Sequence, residues 1–388
     1  MVRKSLLVVL AIVLVGFGVL GVRDLRPYSQ NLSEYLQDLF TSNGISLNQD
    51  DFLQPVEDPY LAFAQTLNLV PTSTQSDDRI NMREARQISE QFLTVRDKLY
   101  LDGLYGKIDM HEHYYAGGNV DLFLRALGCL GISKVVLLPT GLSPDNKLYG
   151  QNWVGLMLWA KQYPDQIIPY CTIDEADPHA GELVEQYILE GAKGIKFLGG
   201  HPDYYDEPLN STNLYNVYEM AAKYDLPVLI HGSLINIPEV NGQLDQVFSD
   251  FPQVRFILAH YGNTLMKGNH LEVIAELLDK HPNLYTDVSH GSGITSYYRY
   301  LDQDLDTIRS FVVKYQDRLL FGSDLILSIF TNDLDWLYLR VKSDIDICQM
   351  AELTSEFGMS DGVHNGLDLD REILRKLYYE NPKRVLGL

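Results

Sequence analysis

Two histidines stand two residues apart at the end of an apolar run, in the segment KIDMHEHYYAGG that covers Lys107 to Gly118. In a β-strand, side chains alternate between the two faces, so His111 and His113 would share one face and Glu112 would lie on the other. Two imidazoles that converge on one point are typical of a metal site. The pair alone is weak evidence, because chance produces it easily.

Further residues of the same chemistry follow other apolar runs. His231 ends the run in PVLIHGS, His260 lies in RFILAHYG, and Asp324 lies in LLFGSDL. Each alone has an ordinary structural explanation, such as a packed histidine or a helix cap. If these runs are parallel strands of one barrel, their carboxyl ends meet on one face, where such barrels carry their active sites. The ordered set therefore predicts a metal site.

The elements that must position these residues begin at Lys107, where short β-branched runs start to alternate with amphipathic helices. Eight strands are predicted, in KIDMHEHY, KVVLLPT, IIPYCTID, GIKFLGG, PVLIHGS, RFILAHYG, LYTDVSHG and LLFGSDL. Helical crossovers between strands indicate a parallel sheet. The pattern predicts an α/β fold, a (β/α)8 TIM barrel over residues 107–388, with a doubly wound open sheet as the alternative. The stretch 326–369 is expected to add helices over the barrel top.

The amino terminus carries an unbroken apolar run from Leu6 to Val22, with Arg3 and Lys4 before it and Arg23 after it. The run is at the short end for a membrane-spanning helix, and no A-x-A cleavage site follows it. We predict that residues 1–26 form an uncleaved signal anchor, with a cleaved signal peptide as the alternative. The basic start would face the cytoplasm, so the catalytic part would be extracytoplasmic, either membrane-anchored or secreted or periplasmic.

Residues 27–106 differ from the rest of the chain in composition. They are polar, with helical segments in NLSEYLQDLF and MREARQISEQFLTVRDKLY and a turn-rich stretch, VPTSTQSDD, between them. We predict a separate helical amino-terminal extension. No pattern in it points to chemistry.

The composition of this chain of 388 residues limits the classes of molecule that it is expected to bind. Lys and Arg number 31 and Asp and Glu 52, so the formal net charge is −21, which argues against a nucleic-acid partner because phosphate backbones would be repelled. Cys129, Cys171 and Cys348 form no CxxC motif and no disulfide framework. The expected partners are a small-molecule substrate and, through the apolar run, the membrane. Whether the chain forms a homo-oligomer stays open.

Several motifs together resemble the amidohydrolase superfamily of metal-dependent barrels. They are IDMHEH, GIKF, LPVLIHGS, RFILAHYG, LYTDVS, FGSD and the closing LYYENPKRVLGL. The resemblance extends over residues 107–388 and is closest to the amidohydrolase-related subgroup, which includes aminocarboxymuconate semialdehyde decarboxylase. HxH alone is weak, whereas the ordered set is specific. The segment before residue 107 finds no counterpart in this resemblance.

Carried over by position, the resemblance implies four ligands of one divalent metal ion: His111, His113, His231 and Asp324. Zinc is the expected ion, because nitrogen and carboxylate ligands suit it, with manganese and iron as alternatives. The resemblance also implies that His260 is a catalytic histidine beside the ligands. A bound ion would acidify water, Asp324 would accept its proton, and His260 would act as general acid and base.

A lysine raises the question of a second metal ion. GIKFLGG places Lys196 on the fourth strand, and in binuclear members of the superfamily a carboxylated lysine near the end of that strand bridges two metals. The resembled subgroup is largely mononuclear. We therefore expect Lys196 to be a lysine of the barrel wall paired with a carboxylate, with the bridging role as the alternative.

Four further residues lie near the predicted barrel mouth. Asp287 and Ser289, in LYTDVS, are expected to hold the end of the seventh strand and to orient their neighbours by hydrogen bonds. His201 and His290 lie in predicted loops beside the mouth, where a histidine either contacts substrate or is simply solvated.

These residues and the resemblance together predict a metal-dependent hydrolase that cleaves a small amide, ester or lactone. The first alternative is a nonoxidative decarboxylase of an aromatic or unsaturated carboxylic acid, and the second is a non-catalytic binding module on a barrel scaffold. A carboxylate substrate would require an arginine at the mouth, and Arg255 and Arg299 are not placed there. A binding module usually has a broken ligand set, and here no ligand is missing.

Overall fold

The computed structural model describes residues 106–141, 148–265, 270–290, 294–328, 331, 333–354 and 362–388. The predicted signal segment, 1–26, and the predicted helical extension up to residue 105 lie outside these residues. Within the described part of the chain, no helix is both long enough and apolar enough to cross a membrane.

Parallel strands in the predicted order form the barrel. They are β1 Lys107–Tyr114, β2 Ile132–Pro139, β3 Ile167–Pro169, β4 Cys171–Thr172, β5 Ile195–Phe197, β6 Val228–Ile230, β7 Phe256–Leu258, β8 Leu284–Asp287, β9 Leu319–Leu320 and β10 Ile326–Leu327. Strands β3 and β4 are two parts of the third barrel strand, interrupted at Tyr170. The hydrogen-bonded orders are β10-β1-β2-β3 and β4-β5-β6-β7-β8-β9.

Backbone hydrogen bonds join the two runs of strands into one closed wall. The amide of Tyr170 donates to the carbonyl of Leu137 at 3.0 Å, and the amide of Met110 donates to the carbonyl of Phe321 at 2.9 Å. The predicted barrel is therefore confirmed, and the alternative of an open sheet is wrong.

Helices cover the outside of the wall. They are α1 Val120–Cys129, α2 Tyr149–Gln162, α3 Ala180–Glu190, α4 Thr212–Lys223, α5 Pro238–Asp250, α6 Leu271–Lys280, α7 Ile294–Lys314, α8 Leu334–Gln349, α9 Arg371–Arg375 and α10 Asn381–Leu386. Asn119 and Ser211 cap α1 and α4 through their side chains, which accept from the amides of Leu122 and Leu214. Helix α5, PEVNGQLDQVFSD, is one of the more polar of these helices and begins with a proline in its first turn.

The stretch 326–369 forms helix α8 and a two-stranded antiparallel hairpin of β11 Glu352–Thr354 and β12 Val363–Asn365. The helix agrees with the prediction, and the hairpin was not predicted. Helix α8 bears directly on the barrel top, because Nη2 of Arg340 donates to the backbone carbonyl of Ser323 at 2.8 Å.

Apolar side chains fill the inside of the barrel. They form one buried cluster that includes Ile108, Met110, Val136, Leu138, Tyr170, Leu229, Ile257, Tyr285 and Leu320. The neighbours Val135 and Leu137 belong to the other cluster, under the helices, as the two-residue alternation of a strand requires. Because the interior is packed, chemistry is confined to the ends of the strands.

Candidate metal centre

Three of the four predicted ligands converge at the carboxyl end of the barrel. Nε2 of His111 lies 3.2 Å from Nε2 of His113. Oδ1 of Asp324 lies 3.3 Å from the first nitrogen and 3.0 Å from the second. Ligand atoms about 2.0–2.1 Å from a tetrahedral zinc ion are roughly 3.3 Å apart, so this triangle has the size of one face of such a site. The donor set and its spacing fit a divalent metal ion.

Burial keeps the two imidazoles in the neutral form that a metal requires. Burial, together with the nearby Lys196, lowers the pKa of His111 to about 4. Burial also lowers the pKa of His113. Burial opposes ionisation of Asp324, but His260 and His111 beside it hold the pKa of that carboxyl well below its usual range. Neutral imidazoles and an ionised carboxylate are thus presented together at neutral pH.

Asp287, at the end of β8, connects two of the histidines. Its Oδ2 accepts a hydrogen bond from Nδ1 of His111 at 2.9 Å, and its Oδ1 accepts from the backbone amide of His260 at 3.0 Å. Oγ of Ser289 contacts both Oδ1 of Asp287 and Nδ1 of His260, the latter at 2.8 Å. A proton held on Nδ1 of His111 leaves the lone pair of Nε2 directed at the triangle. Asp287 and Ser289 therefore make the orienting hydrogen bonds that the sequence predicts for them.

His260 faces the second oxygen of the ligand carboxylate. Its Nε2 lies 3.5 Å from Oδ2 of Asp324, while Nδ1 is held by Ser289. The ring is buried and stacks on His111 with a centroid distance of 5.2 Å. A group placed in this way is within reach of a proton transferred at the carboxylate or at a reacting atom beside it.

His231, the fourth predicted ligand, lies beside the triangle but is not part of it. Its Nε2 accepts a hydrogen bond from Nδ2 of Asn263 at 2.9 Å, and its ring centroid is 5.1 Å from that of His260. The role of His231 as a ligand stays a prediction. Asn263 was missed at the sequence level, where its one signal is the Gly262–Asn263 pair, two residue types that tolerate left-handed backbone.

Lys196 reaches the centre instead of a carboxylate partner in the wall. Its ammonium nitrogen lies 2.9 Å from Nε2 of His111, and the residue is fully buried. Burial lowers the pKa of Lys196 to about 8, against the opposing effects of Asp324 and Asp287. The structure thus differs from the expected carboxylate pairing, because the strand end brings the amine to the imidazole.

Glycine allows the segment between β9 and β10, which carries Asp324, to approach β1. A Cβ on Gly322 would lie 2.9 Å from Cβ of His111, closer than real side chains pack. The backbone amide of Asp324 donates to the carbonyl of His111 at 2.8 Å. The FGSD motif thus has its glycine at a close approach between the segment that carries Asp324 and the strand that carries His111.

Two acids of β1 hold the backbone on either side of Asp324. Oδ1 of Asp109 accepts from the amide of Ser323 at 3.2 Å, and Oε2 of Glu112 accepts from the amide of Leu325 at 2.8 Å. In regular alternation, residues 109 and 112 would point to opposite faces, but the pairing register of β1 with β2 shifts between them. This irregularity explains how both acids hold Asp324, whose φ of 49° is left-handed.

The same acids share the Ser323 hydroxyl and lie near a buried arginine, whose charge acts on Glu112. The Ser323 hydroxyl contacts both carboxyls, and since it has one proton to donate, one carboxyl group must itself carry a proton. Burial raises the pKa of Asp109 to about 7 and, together with the charge of Asp109, raises that of Glu112. Nη1 of Arg340 donates to Asp344. No pattern in the sequence points to Arg340, because it lies within a helix far along the chain.

The two loop histidines have different surroundings. The His201 ring lies 4.7 Å from the ring of His231, and it extends the cluster of imidazoles toward solvent. His290 is buried and contacts the carboxylate of Asp344. His201 therefore belongs to the mouth of the centre, whereas His290 belongs to the ion cluster around Arg340.

Comparison with known proteins adds the family. A sequence profile described as Amidohydrolase matches residues 146–388, which is more than half of the chain and leaves out β1 and β2. No curated protein matches the chain.

Several solved structures share the fold at low sequence identity. An uncharacterised TIM-barrel protein from Bordetella bronchiseptica is 16% identical with a TM-score of 0.51, over 73% of this chain and 98% of that one. An amidohydrolase from Burkholderia multivorans with bound zinc is 12% identical with a TM-score of 0.51, over 73% and 99%. A 2,6-dihydroxybenzoate decarboxylase complexed with 2,6-dihydroxybenzoate is 14% identical with a TM-score of 0.50, over 73% and 99%.

The profile match and the shared barrel confirm the resemblance that the motifs indicate, and the amidohydrolase-related subgroup fits both. The chain belongs to the amidohydrolase superfamily.

Proposed function

We propose that the protein is a metal-dependent hydrolase that cleaves a small amide, ester or lactone. The observation that carries the proposal is the triangle of His111 Nε2, His113 Nε2 and Asp324 Oδ1, with edges of 3.2, 3.3 and 3.0 Å, beside His260. Zinc is the ion we propose, with His231 as its fourth ligand. The zinc named for the Burkholderia amidohydrolase supports this choice of ion by analogy.

The chemistry divides between the ion and the side chains. When bound, a divalent ion supplies Lewis acidity, polarising a carbonyl and lowering the pKa of water from about 15.7 to about 7. Asp324 has one oxygen in the triangle and the other 3.5 Å from Nε2 of His260, so it can pass a proton to that ring. His260 then returns the proton to the leaving group as general acid. Asp287 and Ser289 hold His111 and His260 in the tautomers that these proton transfers require.

A decarboxylase is the second candidate, and the 2,6-dihydroxybenzoate decarboxylase of the same fold supports it by analogy. Such a substrate carries a carboxylate that needs a cation. An arginine is the side chain best suited to bind a carboxylate, but the two terminal nitrogens of Arg340 already donate to Asp344 and to the Ser323 carbonyl. Among the described residues at the centre, Lys196 is another cation, but its ammonium lies 2.9 Å from Nε2 of His111 and would have to leave that nitrogen to bind an anionic group. We favour hydrolysis because an amide, ester or lactone substrate needs no cation to bind a carboxylate.

A parallel assay separates the two reactions. The full chain, loaded with zinc or with manganese, is incubated with 4-nitrophenyl esters, simple lactones, N-acyl amino acids and dihydroxybenzoates. Release of nitrophenol or acid supports hydrolysis, and release of CO₂ from the benzoates supports decarboxylation. Both activities should disappear with His111→Ala. A chain that binds metal tightly but turns over neither class would refute the proposed function and favour a binding module.

A further inference from the structure

The amide of Asn263 and the ring of His231 share a hydrogen bond at the barrel mouth. Nδ2 of Asn263 donates to Nε2 of His231 at 2.9 Å and also contacts Oγ of Ser233 at 3.2 Å. Both Asn263 and His231 are half-buried. Because the His231 ring lies beside His260, this hydrogen bond borders the candidate metal centre.

An unusual backbone turn holds Asn263 in this place. Four successive residues have φ values of 56°, 53°, 62° and 57°, all left-handed: His260, Tyr261, Gly262 and Asn263. Left-handed backbone costs roughly 1–2 kcal/mol for each non-glycine residue, and strain of this kind clusters at functional sites. The amide of Leu234 anchors the turn by donating to the Gly262 carbonyl at 3.1 Å. One helical turn places its first and fourth residues on the same side, so His260 and Asn263 face the same centre.

The hydrogen bond uses the lone pair that a metal ion would need. A neutral imidazole has one acceptor nitrogen, and in His231 the amide of Asn263 is bonded to Nε2. A metal ion coordinated at Nε2 requires the same lone pair. The two interactions exclude each other, so coordination by His231 must release the Asn263 amide.

We propose that Asn263 competes with the metal ion for Nε2 of His231, and that the displaced Nδ2 amide then donates a hydrogen bond to the carbonyl oxygen of the substrate. The inference rests on the proposed function, since it takes His231 as the fourth ligand and a carbonyl compound as the substrate. A fixed donor directed at an oxygen that gains negative charge stabilises a transition state most strongly in a buried site. Asn263 thereby becomes a substrate-binding residue of the centre.

Zinc affinity tests the competition. The full chain is stripped of metal and titrated with zinc against a chromophoric chelator, as wild type and as Asn263→Gly, which removes the amide and accepts the left-handed backbone. We expect about fivefold tighter zinc binding in the variant, as the loss of one competing hydrogen bond implies. Ser233→Ala, which removes the other partner of the amide, is the matched control and should leave zinc affinity unchanged. Asn263→Ala, which keeps the Cβ, should shift affinity in the same direction as Asn263→Gly.

Acetohydroxamate, a zinc-binding carbonyl compound, tests the donor. Calorimetry on the zinc-saturated chain should show about tenfold weaker binding to Asn263→Gly than to wild type, since a hydrogen bond to a charged oxygen is lost. Equal zinc affinities overturn the competition, and equal hydroxamate affinities overturn the donor role. A wild-type chain that binds no zinc refutes the proposed function as well, whereas zinc binding with equal affinities refutes this inference alone.

Discussion

The carboxylate of Asp287 lies 2.9 Å from Nδ1 of His111, on the side of the ring away from the triangle. This contact fixes the tautomer of the ligand. In Asp287→Asn, an amide has only one acceptor oxygen for the His111 ring and the His260 amide, so one of the two faces a donor. We expect zinc affinity to fall about 10–100-fold, as for other partners of metal-bound histidines. Chelator competition measures it.

A residue on the same strand provides the control for this variant. Thr286 donates its hydroxyl to the Leu258 carbonyl at 2.7 Å and is fully buried. Thr286→Val should lower thermal stability without changing zinc affinity. If both variants lowered zinc affinity equally, the effect of Asp287→Asn would come from a general loss of packing and not from the tautomer of His111.

Replacement of His260 should separate catalysis from metal binding. His260→Asn suits the left-handed φ of 56° at this position, because asparagine tolerates such backbone. We expect zinc stoichiometry to stay unchanged and kcat to fall about 10²–10⁴-fold, the usual contribution of a general acid or base. Tyr261→Phe, at the next and equally buried position, is the control and should keep kcat. Normal turnover by His260→Asn would show that the assigned role is wrong.

Metal stoichiometry decides the role of Lys196. Within the described residues, two groups of side chains lie close enough to hold an ion: His111 with His113 and Asp324, and His111 with His260 and Asp287. Both groups use His111, whose Nδ1 is already bonded to Asp287. We therefore expect one zinc per chain by elemental mass spectrometry, and still one in Lys196→Met. Two ions in the wild type, falling to one in Lys196→Met, would contradict the mononuclear site and favour a bridging carboxylated lysine.

The order of the strands could be predicted from sequence because parallel buried strands have a strong signal, a short β-branched run followed by a helix. The same argument placed His111, His113 and Asp324 at one end of the barrel. It could not show that Nε2 of His231 is bonded to Asn263, because that contact depends on a left-handed turn. Nor could it place Arg340, whose contact with Ser323 depends on how helix α8 lies across the barrel. Loop geometry is set by distant contacts that leave no periodic pattern.

A buried lysine at the opposite end of the barrel gives the protein a pH-dependent stability that is independent of the metal centre. Lys107 is fully buried, donates from Nζ to the Leu130 carbonyl at 2.8 Å, and lies 5.5 Å from the centre of the Tyr378 ring. Burial lowers the pKa of Lys107 from 10.5 to about 7. The folded state therefore disfavours the charged amine. Its penalty is absent above pH 10.5, grows as the pH falls toward 7, and is complete below that value.

Lys107→Met should remove this penalty. One pKa unit corresponds to about 1.4 kcal/mol, and the lost hydrogen bond returns about 1 kcal/mol, so we expect about 2–4 kcal/mol of added stability at pH 7. The gain should shrink steadily as the pH rises and reach about zero near pH 10, because the remaining penalty of about 1 kcal/mol is then offset by the hydrogen bond that methionine cannot make. Urea unfolding with a chelator present, from pH 6 to pH 10, measures the difference, and the exposed Lys161→Met serves as control. A difference between Lys107→Met and wild type that does not change with pH would mean that the buried amine does not lose its proton in this range.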